Sequence, residues 1–282
     1  MEADLGPGAR RRYLGKVLRR LRDERGLTAA EVAKRMRASQ PTLTRIEGGR
    51  NAILPRHVYR LLEIYEIDDE QTDRLMRVAE QANQRGWWEP FSDIMPDWLE
   101  ILTMLEPDAD MICTYESEFV PGLLQTEDYA RAIRRAARLG DVDGQVERFV
   151  QLRTERQQRI GDKPITAIIN EAVVRRMVGG KEVMHAQVQR LVDESTTGRV
   201  DLRMIPFDAG AHPGMKGSFI MLRFPDTGEE MDLVYVETER GGMYLERPAD
   251  LLRYGDVFTG LLDLALTREE TVTFLATLVT KL

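Results

Sequence analysis

The sequence predicts a multidomain protein, a small all-α domain followed by a larger α/β (α+β) domain, and three observations carry that expectation. Up to residue 85, apolar side chains recur at helical spacing, in short runs broken by Gly or Pro. Beyond residue 86, strand-like runs alternate with longer helical ones, the pattern of a sheet with covering helices. The charge changes sign at the same place: residues 1–85 hold 18 Lys/Arg against 13 Asp/Glu, a net of +5, and residues 86–282 hold 22 against 34, a net of −12. With 282 residues, 43% of them hydrophobic, the chain has apolar material for two cores.

Residues 1–9 carry three Gly or Pro and are expected to form a flexible tail. From Tyr13 a helix begins, with Leu14, Val17, Leu18 and Leu21 on one face, and Gly26 ends it. Thr28-Ala29-Ala30-Glu31 is a capping box, in which hydroxyl and carboxylate each satisfy an N–H of the first turn; it opens a second helix with Val32, Ala33 and Met36 inward. Ser39 is the N-cap of a third helix, which tolerates Pro41 in its first turn, buries Leu43 and Ile46, and stops at Gly48-Gly49. A fourth follows Pro55 with Val58, Leu61, Leu62 and Tyr65, and a fifth runs near Asp69 to Gln84 with Leu75, Met76 and Val78. These helices define a first domain over 10–85.

The second domain, 86–282, begins with an aromatic cluster, Trp87, Trp88, Phe91 and Trp98, which reads as a core or domain-interface anchor because of its apolar area. Helical patterns then cover Pro96–Leu105, Thr126–Arg138, Val142–Ile160, Glu171–Val178 and Glu182–Thr196. Strand-like runs are Met111–Tyr115, Ile165–Ile169, Val200–Pro206, Ser218–Phe224 and Leu233–Glu237, with Met243–Leu245 as a short sixth and Asp226–Gly228 as a turn. Two helices close the chain, Pro248–Ala265 and Arg268–Leu282, the latter behind a second capping box at Thr267-Arg268-Glu269-Glu270.

Several function classes are disfavoured. No run approaches the ~18 uncharged apolar residues of a membrane span, and Met1 to Arg12 has no apolar segment of a signal peptide, so a cytoplasmic protein away from membranes is expected. A single cysteine, Cys113, rules out an internal disulfide and multi-cysteine zinc sites, and it sits in an apolar run that reads as buried. His57, His185 and His212 share no ligand spacing. Phosphate-loop, dinucleotide, zincin and nucleophile-elbow motifs are all missing, so neither catalysis nor a cofactor is expected.

The informative segment is Leu27 to Arg50. A helix-turn-helix needs a small residue in its first helix, a short turn, and apolar residues holding the second helix over the first. Ala33, Met36-Arg37-Ala38, and Leu43 with Ile46 supply these. Gln40, Thr42 and Arg45 then point outward, flanked by Arg37 and Arg50. Gln and Arg suit paired hydrogen bonds to base edges, while flanking arginines and the Thr28 and Ser39 hydroxyls suit phosphates. A basic end on an acidic body fits a polyanion at one end only; residues 1–60 alone carry 15 basic against 6 acidic residues.

Gly26-Leu27-Thr28-x-x-Glu31-x-Ala33, followed by Ser39-Gln40-Pro41-Thr42-Leu43-Thr44-Arg45-Ile46-Glu47-x-Gly49, resembles the helix-turn-helix of Xre/lambda-repressor-like regulators. The resemblance implies a recognition helix over 39–47, with Gln40, Pro41 and Arg45 facing bases and Thr28 and Arg50 meeting phosphate. Ala29 departs from the pattern, standing where many relatives carry a phosphate-binding glutamine. Trp88, the run Val120-Pro121-Gly122-Leu123-Leu124-Gln125-Thr126, Pro206-Phe207-x-x-Gly210-x-His212, Gly217-Ser218-Phe219 and Tyr235-Val236-Glu237-Thr238 resemble the C-terminal domain of actinobacterial, antitoxin-like (WhiJ-like) Xre-type regulators. That resemblance implies transcriptional control through double-stranded DNA, and a small partner protein encoded nearby.

A homodimer is expected because one such domain reads few base pairs, and the acidic domain is the natural place for regulation and dimerisation. An antitoxin-like adaptor, acting chiefly by binding a small protein, is the alternative. Within the second domain, Gly210, His212, Gly214 and Gly217 form the candidate partner or ligand loop, since clustered glycines permit close backbone approach.

Overall fold

The computed structural model describes residues 7–49, 52–83, 86–137, 143–224 and 231–282. They divide into two compact units, one formed by the chain up to Pro90 and the other by Phe91–Arg223 with Asp232–Leu282; Phe224 and Met231 group with the first.

The first unit is five helices: α1 Pro7–Glu24, α2 Ala29–Arg35, α3 Gln40–Gly48, α4 Pro55–Ile64 and α5 Asp69–Ala82. Helix α1 starts earlier than the sequence suggests. Of the expected tail, residues 1–6 lie outside the described residues, but Pro7, Gly8 and Ala9 are helical and Ala9 is fully buried. Proline is preset for a first helical turn and the alanine packs, so the low apolar content of the segment concealed a helix start. The core is continuous across the helices, with Leu14, Leu18, Val32, Leu43, Val58, Leu61, Leu62 and Tyr65 shut from water.

The second unit is built on a six-stranded sheet: β1 Met111–Glu116, β2 Ile165–Asn170, β3 Val200–Ile205, β4 Phe219–Arg223, β5 Leu233–Thr238 and β6 Gly241–Leu245, in the order β3-β2-β1-β4-β5-β6. β1, β2 and β3 are parallel, and β4, β5 and β6 continue the sheet antiparallel. Parallel strands need long crossovers, supplied by α7 Glu127–Ala137 and α8 Asp143–Ile160 between β1 and β2, and by α9 Glu171–Arg175 and α10 Lys181–Thr196 between β2 and β3. One face buries Cys113, Tyr115, Ile168, Phe219 and Met221 under Phe258 and Leu261 of α11, Pro248–Leu264. The chain closes on α12, Arg268–Val279, capped by Thr267 and Glu270 as the second capping box predicts.

Apart from the early start of α1, the expected elements are present with most ends shifted by a residue or two; α12 stops three residues early, at Val279, and α9 stops at Arg175 rather than Val178. Arg176 turns extended, and Gly179 and Gly180, at φ 71° and 94°, redirect the chain into α10. The turn expected at Asp226–Gly228 lies outside the described residues. The Pro121-Gly122 corner forms a single 3-10 turn over Gly122–Leu124, with Gln157 donating to the carbonyls of Gly122 and Gln125 and Thr126 capping α7. Next to β1, α6 (Asp97–Leu105) ends in a turn whose Glu106 accepts two hydrogen bonds from Arg156 of α8, at 2.9 and 2.7 Å, both side chains being buried.

Candidate nucleic-acid interface

Helix α2 begins as its capping box dictates: the Thr28 hydroxyl accepts the Glu31 N–H at 3.3 Å, while Glu31 Oε2 accepts the Thr28 N–H at 2.8 Å and its hydroxyl at 2.7 Å. Those two bonds hold the Glu31 carboxyl below the usual range. Thr28 is exposed, but its hydroxyl proton is committed to Glu31, so a phosphate contact requires the hydroxyl to change partners.

The turn between α2 and α3 is closed by Ala38 N–H on Ala33 O at 2.9 Å and Arg37 N–H on Lys34 O at 3.1 Å. That pairing is the Schellman pattern, which places its C′ residue left-handed. Here that residue is Arg37, at φ 55°. An arginine occupies a position that favours glycine, and its exposed side chain makes no ion pair among the described residues.

Ser39 caps α3, its hydroxyl accepting the Thr42 N–H at 3.3 Å and lying 2.9 Å from the Thr42 hydroxyl. Leu43 and Ile46 are buried in the helical core, which turns Gln40, Pro41, Thr44 and Arg45 outward; all four are exposed and Thr42 is half-buried. The Gln40 and Arg45 side chains make no hydrogen bond or ion pair among the described residues. A long amide and a guanidinium are thus presented, unengaged, on one helix. Such groups can pair bidentately with adenine and guanine edges. Thr44 went unnoticed in the sequence, although it lies one turn beyond Gln40 and bonds back to that residue's carbonyl at 3.1 Å. Arg50 lies outside the described residues.

The position of α3 is set by α1. On α1 the stripe Arg11, Gly15, Leu18 and Arg22 faces inward at helical spacing. Arg22 grips Glu47 with two bonds, at 2.6 and 3.1 Å, and donates to the Leu27 carbonyl at 2.9 Å. A Cβ on Gly15 would lie 2.7 Å from the Glu47 carbonyl and 2.8 Å from that of Ile46. A Cβ on Gly49, at φ 60°, would lie 2.6 Å from the Arg11 carbonyl. Close backbone approach thus fixes α3 against α1. Gly49 was legible as a helix stop, whereas Gly15 was not singled out; its signal is a glycine inside a buried helical stripe.

The candidate loop of the second unit has a different character. Gly210 and Gly217 take φ 67° and 125°, so both need glycine for backbone reasons. Gly214 is buried, and a Cβ there would lie 2.6 Å from the Tyr115 ring. His212 meets the same ring edge-on at 6.0 Å, and burial lowers its pKa. These residues seat the loop on β1 and α11, while Phe207 and Met215 on the same loop are exposed by 59% and 71%. Cys113 is buried, and burial pushes its thiol up to about 11, outside the range of a reactive nucleophile. No helix among the described residues is long and apolar enough to cross a membrane.

Two family models match the chain. Residues 13–75 match a helix-turn-helix domain, and residues 99–277 match a domain of unknown function, DUF5753. No curated protein and no solved structure gives a match. With most of its length matched by that second domain and α2–α3 inside the first, the chain belongs to the DUF5753 family and carries a helix-turn-helix DNA-binding domain ahead of it.

Proposed function

We propose that the chain is a sequence-specific transcriptional regulator of the Xre type that binds its operator as a homodimer, reading bases with α3. The observation that carries this reading is the outward face of α3, where Gln40, Thr44 and Arg45 are exposed while Leu43 and Ile46 are locked in the core. Arg45 and Gln40 are the base readers, with Pro41 beside them. Arg37, Arg50, Ser39, Thr42 and Thr28 meet the backbone. One such helix covers a few base pairs, so operator specificity requires two, about 34 Å apart along the duplex or a multiple of one turn.

The second unit serves as the dimerisation and regulatory body. The net charge of −12 over residues 86–282 disfavours the duplex, which supports a role other than DNA contact. A small partner protein encoded nearby, or a ligand, acts through it on the spacing of the two recognition helices, in the manner of antitoxin-like regulators. By linkage, operator DNA then changes the affinity for that effector by the same factor.

The test is selection of bound sequences from random DNA, with and without the adjacent gene's product. An enriched inverted repeat with half-site centres about 10 base pairs apart, or a multiple, supports the reading. Failure to enrich any sequence refutes it.

A further inference from the structure

The outward face of α3 has an apolar centre between its two long polar side chains. At about 100° per residue, the direction opposite the buried Leu43 and Ile46 is taken by Pro41, Thr44, Arg45 and Gly48, with Gln40 at the flank beside Thr44. Around the helix the order across that face is therefore Gln40, Thr44, Gly48, Pro41 and Arg45. Pro41 and Thr44 are exposed, and a Cβ on Gly48 would meet nothing within 4 Å, so the space between them is open.

Thr44 is the informative member. Its hydroxyl donates to the Gln40 carbonyl at 3.1 Å, one turn back along the helix. A β-branched side chain in a helix has few χ1 positions, and this bond selects one of them. With the oxygen turned back against the backbone, the γ-methyl is the branch left to face outward. The other threonine near the start of the helix behaves differently: Thr42 lies beyond Arg45, is half-buried, and has its hydroxyl 2.9 Å from that of the Ser39 cap. Thr44 thus offers a methyl group, next to the apolar ring of Pro41, to the surface that α3 lies against. On the major-groove edges of the base pairs the alkyl group is the C5-methyl of thymine, and a threonine methyl is among the groups that suit it.

We propose that Thr44, with Pro41 beside it, reads a thymine methyl in the half-site, next to the bases engaged by Gln40 and Arg45. This rests on base reading by α3 as proposed above, and adds a residue that selects by apolar contact rather than by hydrogen bond.

The test measures binding of the full chain to the operator recovered by the selection above, at one fixed salt concentration. Each thymine is replaced in turn by deoxyuridine, which removes the methyl group and nothing else. One position per half-site is expected to lose about three- to fivefold in affinity, the scale of burying one methyl group. Thr44→Ser keeps the hydroxyl and its helix bond but lacks the methyl; it should lose the same factor on the thymine operator and be indifferent to uracil at that position. Thr44→Val lacks the hydroxyl and keeps the methyl, and should still discriminate thymine from uracil there. Equal affinity of the three chains for random DNA shows that all are folded. An operator with no uracil-sensitive position, or a discrimination that survives in Thr44→Ser or vanishes in Thr44→Val, overturns the methyl contact while leaving base reading by Gln40 and Arg45 standing. A selection that enriches no sequence overturns both.

Discussion

Arg37 shows what a single residue contributes. An L-residue held left-handed costs roughly 1–2 kcal/mol relative to the right-handed region, a strain glycine does not carry. Arg37→Gly is therefore expected to stabilise the first unit by about 1 kcal/mol in denaturant unfolding. The same change should weaken DNA binding on all sequences alike and reduce the salt dependence by about one unit of slope, since a phosphate contact is lost. A variant that gains stability with an unchanged salt slope would leave the arginine without a role on DNA. In the second unit the corresponding residue is Glu116, 6% exposed at the end of β1, with Ser218, Glu237 and Arg153 around it. Burial pushes its carboxyl up to about 8. The folded state thus favours the neutral acid, so the contribution of Glu116 to stability is fully present at acid pH and is lost as pH climbs from about 4.5 through about 8. Glu116→Gln should remove that slope and raise the thermal midpoint at pH 8–9. A slope that survives the substitution would locate the titration elsewhere.

At the scale of elements, the contact between α1 and α3 sets how α3 is presented. Gly15→Ala drives a methyl group into the carbonyls of Ile46 and Glu47, and overpacking of this kind costs about 1–3 kcal/mol. Specific binding should fall further than binding to random DNA, because a displaced α3 loses base contacts before phosphate contacts. Equal losses on both would show that α3 keeps its place. The helices themselves were legible because their signals are local: the Thr28 and Thr267 capping boxes, the Ser39 cap and the buried pairs all lie within one or two turns. Strand runs were legible for the same reason. What the sequence withheld was long-range. Gly15 matters only because α3 crosses it, the raised pKa of Glu116 comes from burial under the folded chain with Glu237 of another strand adding to it, and the left-handed turn at Arg37 hides behind a residue that seldom adopts it. In the Gly210–Gly217 loop the structure adds a packing reason to the sequence pattern. Its glycines suggested a contact surface, and at least Gly214 is explained by the Tyr115 ring against it.

For the molecule as a whole, charge and fold divide the labour. A net of +5 up to residue 85 accompanies the helix-turn-helix, and a net of −12 lies from residue 86 onward. Association with DNA should therefore be steep in salt. The central claim is that α3 reads sequence. The direct measurement is the ratio of affinities for the selected operator and for random DNA at one fixed salt concentration, for the wild-type chain and for Arg45→Ala. Loss of a bidentate base contact should lower the operator affinity by about 1–3 kcal/mol and leave random DNA unchanged, so the ratio collapses. An equal loss on both DNAs, with the ratio intact, would contradict base reading by Arg45 and with it the assignment of α3 as the recognition helix.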